Sequence, residues 1–261
     1  IAVQIGARQS ISHIFQELFY ESNSQEALSM KAVILAGGLG TRLRPFTETI
    51  PKPLLPIGEK AILEIQIEHL KDHGFDEIFL ATNYKSDYIE KFFGDGSRYG
   101  VNLQISREEE ALGTAGPLTL IKDKLDEPFV VMNGDILSSL DFSKFYKFST
   151  STESLLTIAI KLEITPFAFG NIFFDGDLVT GIEEKPDFKN HILAGIYVMQ
   201  PGIFDLIPDN QYYGMDQLIK TMLANNMPVS KYEMSEYWLD IGRIDDYEKA
   251  EEMYKQHMAK K

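Results

Sequence analysis

The stretch from Ala32 to Arg42 constrains this chain most: four apolar residues, Ala32 to Leu35, run without a break into Ala36-Gly37-Gly38-Leu39-Gly40-Thr41-Arg42. A short apolar run ending in glycines reads as a strand buried on both faces, followed by a loop whose main chain approaches a ligand with no Cβ in the way. Backbone amides of such a loop can converge on phosphate oxygens. A strand of this kind needs neighbours and covering helices, and the downstream sequence supplies both. Ala61 to His73, with Ile62, Ile65 and Leu70 apolar, reads as a helix. Glu77 to Ala81, Val101 to Ile105 and Phe129 to Met132 read as strands, separated by helical runs around Tyr88 to Phe93 and Leu118 to Leu125. This alternation predicts an α/β fold with a mainly parallel sheet flanked by helices. After Asp135 the chain turns strand-rich, from Leu155 to Leu162 and from Asn171 to Glu183 around an Asp-Gly turn at Asp175 and Gly176, before a last helical pattern from Asp245 to Met258.

Composition removes several classes of function. No cysteine is present, so disulfide frameworks, thiolate nucleophiles and cysteine-ligated zinc are excluded. With 25 basic and 39 acidic side chains the net charge is −14, which opposes non-specific binding to nucleic acid or to an anionic membrane. Any phosphate must therefore meet a local positive site. No stretch approaches the roughly 20 apolar residues of a membrane-spanning helix, and the first residues lack a signal peptide's basic start and apolar run, so a cytoplasmic location is expected. Met30 stands directly before the first strand and marks a domain boundary, dividing residues 1–29 from residues 30–261. In the extension Ile11, Ile14, Phe15, Leu18 and Phe19 have the spacing of an amphipathic helix. It reads as a tag or the remnant of a preceding domain in preference to a homo-oligomer contact.

The glycine loop fails two familiar tests. A phosphate-binding loop of the Walker type needs Gly-Lys followed by Ser or Thr, whereas Gly40 is followed by Thr41 and Arg42. A dinucleotide fingerprint needs a third small residue where Leu43 stands, and no acidic residue closes the second strand near Asn83. The residues just beyond the loop are more informative. Arg42, Arg44 and Lys52 gather close in sequence, and Pro51, Pro53 and Pro56 stiffen the segment that carries Lys52. A rigid arm bearing a lysine suits the placing of charge against a phosphate.

The strings LAGGLGTRLRPFT and PKPLLPIGEKAILE resemble the signature of the sugar-1-phosphate nucleotidylyltransferases, and the likeness extends over residues 30 to 250. The resemblance implies a Rossmann-like, mainly parallel mixed sheet flanked by helices, with a smaller strand-rich sugar-binding portion, and makes residues 30–261 the catalytic domain. It implies that Leu35, Ala36, Gly37, Gly38, Gly40 and Thr41 wrap the triphosphate of a nucleotide. Arg42 would support the leaving pyrophosphate, and Lys52 would contact the reacting phosphates. Leu112, Gly113 and Thr114, in LGTAGPL, resemble the loop at the nucleobase; Thr114 also reads as a cap for the next helix. Asp135, in Asn133-Gly134-Asp135, and Asp240, in Trp238-Leu239-Asp240-Ile241-Gly242, resemble a pair of carboxylates sharing one Mg²⁺. Glu184 and Lys185 resemble the residues that hold a sugar hydroxyl and the sugar phosphate, with Gly134, Gly170 and Gly195 allowing close approach. One departure is Leu193, where members often carry asparagine ahead of Ala-Gly-Ile-Tyr; a side-chain amide contact to the sugar is thereby missing.

The partners so implied are a nucleoside triphosphate and a sugar 1-phosphate, the product an NDP-sugar. The attacking phosphate oxygen is already anionic, so no general base is needed, in keeping with the scattered positions of His13, His69, His73, His191 and His257. Glu108, Glu109 and Glu110 precede the base loop, and a carboxylate accepts from the N1 and N2 donors of guanine, which a pyrimidine lacks. Glu110 is taken as that group, which favours GTP with a hexose or hexosamine 1-phosphate over dTTP or UTP with glucose 1-phosphate; a solvated acidic run is the competing reading. A sugar-nucleotide sensor without activity is the other alternative, opposed by the joint presence of Arg42, Lys52, Asp135, Asp240 and Lys185. Arg42→Ala is expected to cut turnover by about 10² or more with the fold intact, the usual loss for one preorganised charge contact; steady-state kinetics together with thermal unfolding check it.

Overall fold

The computed structural model describes residues 30–257. The amphipathic pattern at residues 11–19 lies outside them. Strand β1 (Met30–Leu35) is central, with Ala32, Val33 and Ile34 wholly buried. A two-residue pair, β2 (Pro56–Ile57) and β3 (Lys60–Ala61), precedes β4 (Phe75–Thr82), β5 (Asn102–Arg107), β6 (Phe129–Asn133) and β7 (Ile136–Ser138). The later strands are β8 (Leu156–Pro166), β9 (Asn171–Asp175), β10 (Leu178–Glu183), β11 (Asp187–Met199), β12 (Val229–Met234) and β13 (Trp238–Asp240). The helices are α1 (Phe46–Thr49), α2 (Ile62–Asp72), α3 (Ser86–Phe93), α4 (Phe142–Thr150), α5 (Met215–Ala224) and α6 (Ile244–His257).

Seven strands form one sheet in the order β12-β8-β11-β6-β1-β4-β5. Strands β4 and β6 flank β1 in parallel register, and only β11 runs antiparallel to its neighbours β6 and β8. Alternate residues of β1 serve opposite faces. Ala32 and Ile34 join Leu63, Ile67 and Leu70 of α2, while Val33 packs with Leu118, Leu125 and Met222 on the other side. Such two-faced burial is why the central strands read as unbroken apolar runs.

The expected strands and helices are present, with ends displaced by a few residues, and the Asp-Gly turn joins β9 to β10. One segment differs. Leu118 to Lys124 lies within a run of 3-10 turns from Gly116 to Lys124, broken by a non-helical backbone at Ile121, and Leu125 follows its end. The backbone at Ile121 leaves helical geometry and so interrupts the ladder, while the amides of Ala115 and Gly116 ahead of it are tied to the carbonyl of Tyr213.

A third apolar cluster lies beneath the arginine-lysine arm. Leu43, Leu55 and Ile57 pack with Ile62, Ile65, Leu137, Ile241 and Ala250, so the proline-stiffened segment is clamped between α2, β7 and α6. This cluster orients Arg42 and Lys52. Leu43→Ala should therefore lower the unfolding free energy by about 2–5 kcal/mol, the usual cost of deleting a buried leucine side chain, as read by urea denaturation.

Candidate functional site

Chain connections part at β1. The path β1-β4-β5 builds the sheet to one side, whereas β6 pairs with the other edge of β1, so the crevice between the carboxyl ends of β1 and β6 is a topological switch point. The glycine loop forms one lip and Asn133-Gly134-Asp135 the other. The Gly134 amide donates to the Leu35 carbonyl at 2.9 Å, and a Cβ on Gly134 would stand 2.8 Å from that oxygen. The two lips cannot close this tightly around any other residue.

A cavity of about 310 Å³ opens here, lined by Leu35, Gly37, Gly38 and Asp135 on the lips and by Asn83, Glu108, Gly113, Thr114, Asn133 and Tyr212 around them. Gly38 has open space above it, so its backbone faces the cavity unobstructed. Ala36 and Thr41 support the loop from outside the lining: Ala36 is buried and donates its amide to the Ala81 carbonyl, and Thr41 opens the turn that carries Arg42. Gly40 has φ +61°, and a Cβ there would come within 2.8 Å of Thr47 and 3.1 Å of Lys52.

The base loop is fastened across the molecule. Gly113, with φ +83°, bridges to Tyr213, whose amide donates to the Leu112 carbonyl at 2.9 Å. Thr114 does not cap the segment immediately after it; its hydroxyl accepts from the Met215 amide at 2.7 Å and so caps the start of α5. The Gly113–Tyr213 bridge brings that helix end within its reach.

The acidic run resolves into one half-buried group and two exposed ones. Glu110 is exposed and does not line the cavity; Glu108 does. The Glu108 amide continues the sheet by donating to the Thr82 carbonyl at 2.9 Å, which leaves its side chain at the strand end beside Gly37. Its Oε2 accepts from the Leu112 amide at 2.8 Å. Burial pushes the carboxyl above its ordinary range, partly offset by that amide. The sequence signal was its position one residue after β5. Asn83, one residue beyond β4, carried the same signal, whereas Tyr212 and Asn133 carried none beyond nearness to motifs.

Below Asp135 lies a charged cluster. Lys52 is 8% exposed and its Nζ meets Asp135 Oδ2 at 2.6 Å. Strand β13 pairs with β7, setting Asp240 opposite Ile136, and the Ile241 amide donates to the Asp135 carbonyl at 2.9 Å. Burial and the Asp135 charge raise the Asp240 pKa, while Lys52 and Arg42 lower it. Asp240 Oδ1 is buried with no hydrogen-bond partner among the described residues. Arg42 lies over Gly242, where a Cβ would stand 3.3 Å from its Nη1. Four residues from three distant parts of the chain thus share one electrostatic neighbourhood.

The expected sugar-contacting residues divide. Gly195, with φ +68°, faces Asn133, whose Nδ2 would lie 2.7 Å from a Cβ there. Trp238 Nε1 holds the preceding Ala194 carbonyl at 2.7 Å. Gly170 and Glu184 meet at the base of the β9–β10 hairpin, a Gly170 Cβ standing 3.1 Å from Glu184 Oε2, and Lys185 comes next with φ +48°. These three lie outside the cavity lining. A larger cavity of about 570 Å³ opens away from the glycine loop, among mixed charges such as Lys60, Glu68, Lys71 and Asp141.

A glycine-lipped crevice at a switch point, with a pocket of base size on one side and paired cations and carboxylates on the other, marks a nucleotide-handling α/β protein. The chain belongs to the nucleotidyl transferase family, whose model matches residues 31–257. It is 35% identical over 240 residues to a UTP–glucose-1-phosphate uridylyltransferase of Synechocystis sp., covering 84% of this chain and 61% of that protein. It is 36% identical over 241 residues to a probable mannose-1-phosphate guanylyltransferase of Oryza sativa subsp. japonica, covering 89% of this chain and 66% of that protein. The chain thus spans less than two thirds of the length of these two relatives. Among solved structures, HddC from Yersinia pseudotuberculosis complexed with GMP-PN superposes with a TM-score of 0.67 at 30% identity, covering 86% of this chain and 99% of that one. No helix among the described residues is long and apolar enough to cross a membrane.

A half-buried carboxylate with one oxygen unpartnered among the described residues, beside a second carboxylate, disfavours the fold. Because the folded pKa of Asp240 is raised, this penalty is full at neutral pH and is relieved as pH falls through that pKa. Asp240→Asn should therefore raise the melting temperature of chelator-treated protein at pH 7 and lose that advantage toward pH of about 4, as followed by calorimetry.

Proposed function

We propose that this chain transfers a nucleoside monophosphate from a nucleoside triphosphate to a sugar 1-phosphate, releasing pyrophosphate and forming an NDP-sugar. The observation that carries the reading is the meeting of Lys52, Asp135, Asp240 and Arg42 beside the glycine lip of the crevice. A phosphate oxygen of the sugar 1-phosphate attacks the α-phosphorus in line; the new P–O bond forms as the bond to the bridging β-oxygen breaks, and its electron pair leaves with pyrophosphate. Lys52, held by Asp135, offsets charge on the α-phosphate. Arg42 and the amides of the glycine loop bind the leaving group. Positioning and electrostatics do the catalysis, as is general for phosphoryl transfer.

The donor set fits a divalent cation. Asp240 Oδ1 lacks a partner among the described residues and Asp135 raises its pKa, so a cation between the two relieves both faults. Mg²⁺ commonly uses one or two carboxylates and completes its shell with substrate phosphates and water. Held by Asp135 and Asp240, it would supply further positive charge at the reacting phosphates.

Guanine is the preferred base. Glu108 presents a half-buried carboxylate in the cavity, with Oε2 occupied by the Leu112 amide and Oε1 directed toward Gly37. A carboxylate suits the N1 and N2 donors of guanine and finds no such pair on uracil or thymine. The guanylyltransferase relative and the GMP-PN complex of HddC agree with this. The uridylyltransferase relative keeps UTP as the alternative donor. The sugar is a hexose or hexosamine 1-phosphate, approached by Gly195, Gly170, Glu184 and Lys185.

A matrix of four nucleoside triphosphates against hexose and hexosamine 1-phosphates, read by pyrophosphate release, tests the reaction and the base together. Turnover with GTP and mannose 1-phosphate is expected; no pyrophosphate from any pair, with nucleotide still bound, would leave a sensor. Glu108→Gln should lower kcat/KM for GTP about 10- to 100-fold, the worth of a hydrogen bond to a charged group. Since the acceptor must be ionised, GTP affinity in the parent should fall as pH drops toward Glu108's raised pKa, and this fall should flatten in the variant.

A further inference from the structure

We propose that Gln66 is a positioning residue for the Asp135 carboxylate, acting through the main chain on both sides of it. Gln66 lies on the apolar face of α2 among Ile62, Leu63, Ile65, Ile67 and Leu70, and is 3% exposed. Its Nε2 donates twice, to the Asn133 carbonyl at 3.0 Å and to the Ile136 carbonyl at 2.7 Å. Those oxygens bracket Gly134 and Asp135. The amide cannot be reversed, because its oxygen would then face two carbonyl oxygens. In the orientation present, Oε1 is buried with no hydrogen-bond partner among the described residues.

The buried Oε1 carries a desolvation penalty, set against the two main-chain carbonyls that Nε2 satisfies. Both of those carbonyls belong to the turn that carries Asp135. The amide therefore spans that turn from one carbonyl to the other. Gly134 donates to Leu35 of β1, and the Asp135 carbonyl accepts from Ile241. The Asn133 and Ile136 carbonyls then receive the one side-chain amide that reaches both. With Lys52 Nζ at 2.6 Å from Oδ2, Asp135 is held from the side chain and from the backbone at once. Gln66 touches no substrate in this arrangement; it fixes the direction in which the carboxylate leaves the turn. The half-ångström tolerance of a preorganised site makes such support consequential.

The inference rests on the reading of Asp135 as a cation ligand, and the experiment separates the two. Gln66→Met keeps the volume and removes both donors, and Gln66→Asn keeps the amide but withdraws it by one methylene. Mn²⁺ affinity is measured by electron paramagnetic resonance titration in the presence of GTP, together with hydrogen exchange of the amides at positions 134–136 and thermal unfolding. Both variants should melt within a few degrees of the parent, bind Mn²⁺ about tenfold more weakly, and exchange the 134–136 amides faster. A merely structural role would lower the melting temperature and leave the Mn²⁺ constant unchanged, which overturns the proposal. If the parent itself holds no Mn²⁺, the cation reading fails, and unchanged exchange at 134–136 would then overturn the positioning role as well. If Gln66→Met does not fold, Gln66→Asn decides on the same two readouts.

Discussion

The need to bury β1 on both faces governs the site. A strand covered above and below must be flanked by neighbours on both edges, and here those neighbours are reached by connections that diverge, β4 to one side and β6 to the other. Divergence leaves a gap over the strand ends that no crossover fills. The Leu35–Gly134 hydrogen bond joins the lips of that gap, and the absence of a side chain at Gly134 lets them come so close. The cavity, the loop amides and the carboxylate of Asp135 all take their positions from this one arrangement.

Charge is handled against the grain of the molecule. A chain of net charge −14 binds a polyanion only if its few local cations are held firmly. Lys52 is held by burial beneath the crevice and by Asp135, and the apolar cluster around Leu43, Leu55 and Ile57 fixes the arm on which it stands. A buried ion pair is a weak source of stability. Its presence here, next to a second, half-buried carboxylate with one oxygen unpartnered among the described residues, is the kind of local cost that proteins retain where chemistry requires it. Gln66 adds a third such cost at the same turn, so the faults of the fold gather where phosphate chemistry would occur.

Two helices tie the crevice to the rest of the domain. Helix α2 presents Gln66 to the Asp135 turn, and α5 receives Thr114 at its amino end while Tyr213 anchors the base loop just before it. The base pocket and the charged cluster are therefore supported from opposite faces of the sheet.

The sequence by itself determined the elements and the chemistry available to them. Apolar spacing marked β1, α2 and β6, glycines and prolines marked the loop and the stiff arm, and residue type alone put cations and carboxylates into short motifs, because these signals act over a few neighbouring residues. Leu118 to Leu125 escaped that reading, since its backbone breaks at Ile121 and the amides of Ala115 and Gly116 just before it answer to Tyr213, almost a hundred positions away. Tertiary structure alone decided which of Glu108, Glu109 and Glu110 faces the cavity, that choice depending on where β5 ends against β4. It alone placed Asp240 beside Asp135, through the pairing of β13 with β7, and turned a glutamine on an apolar helix face into a brace for the Asp135 turn. Strand order and register set these contacts between residues far apart in the chain, and no local periodicity encodes them.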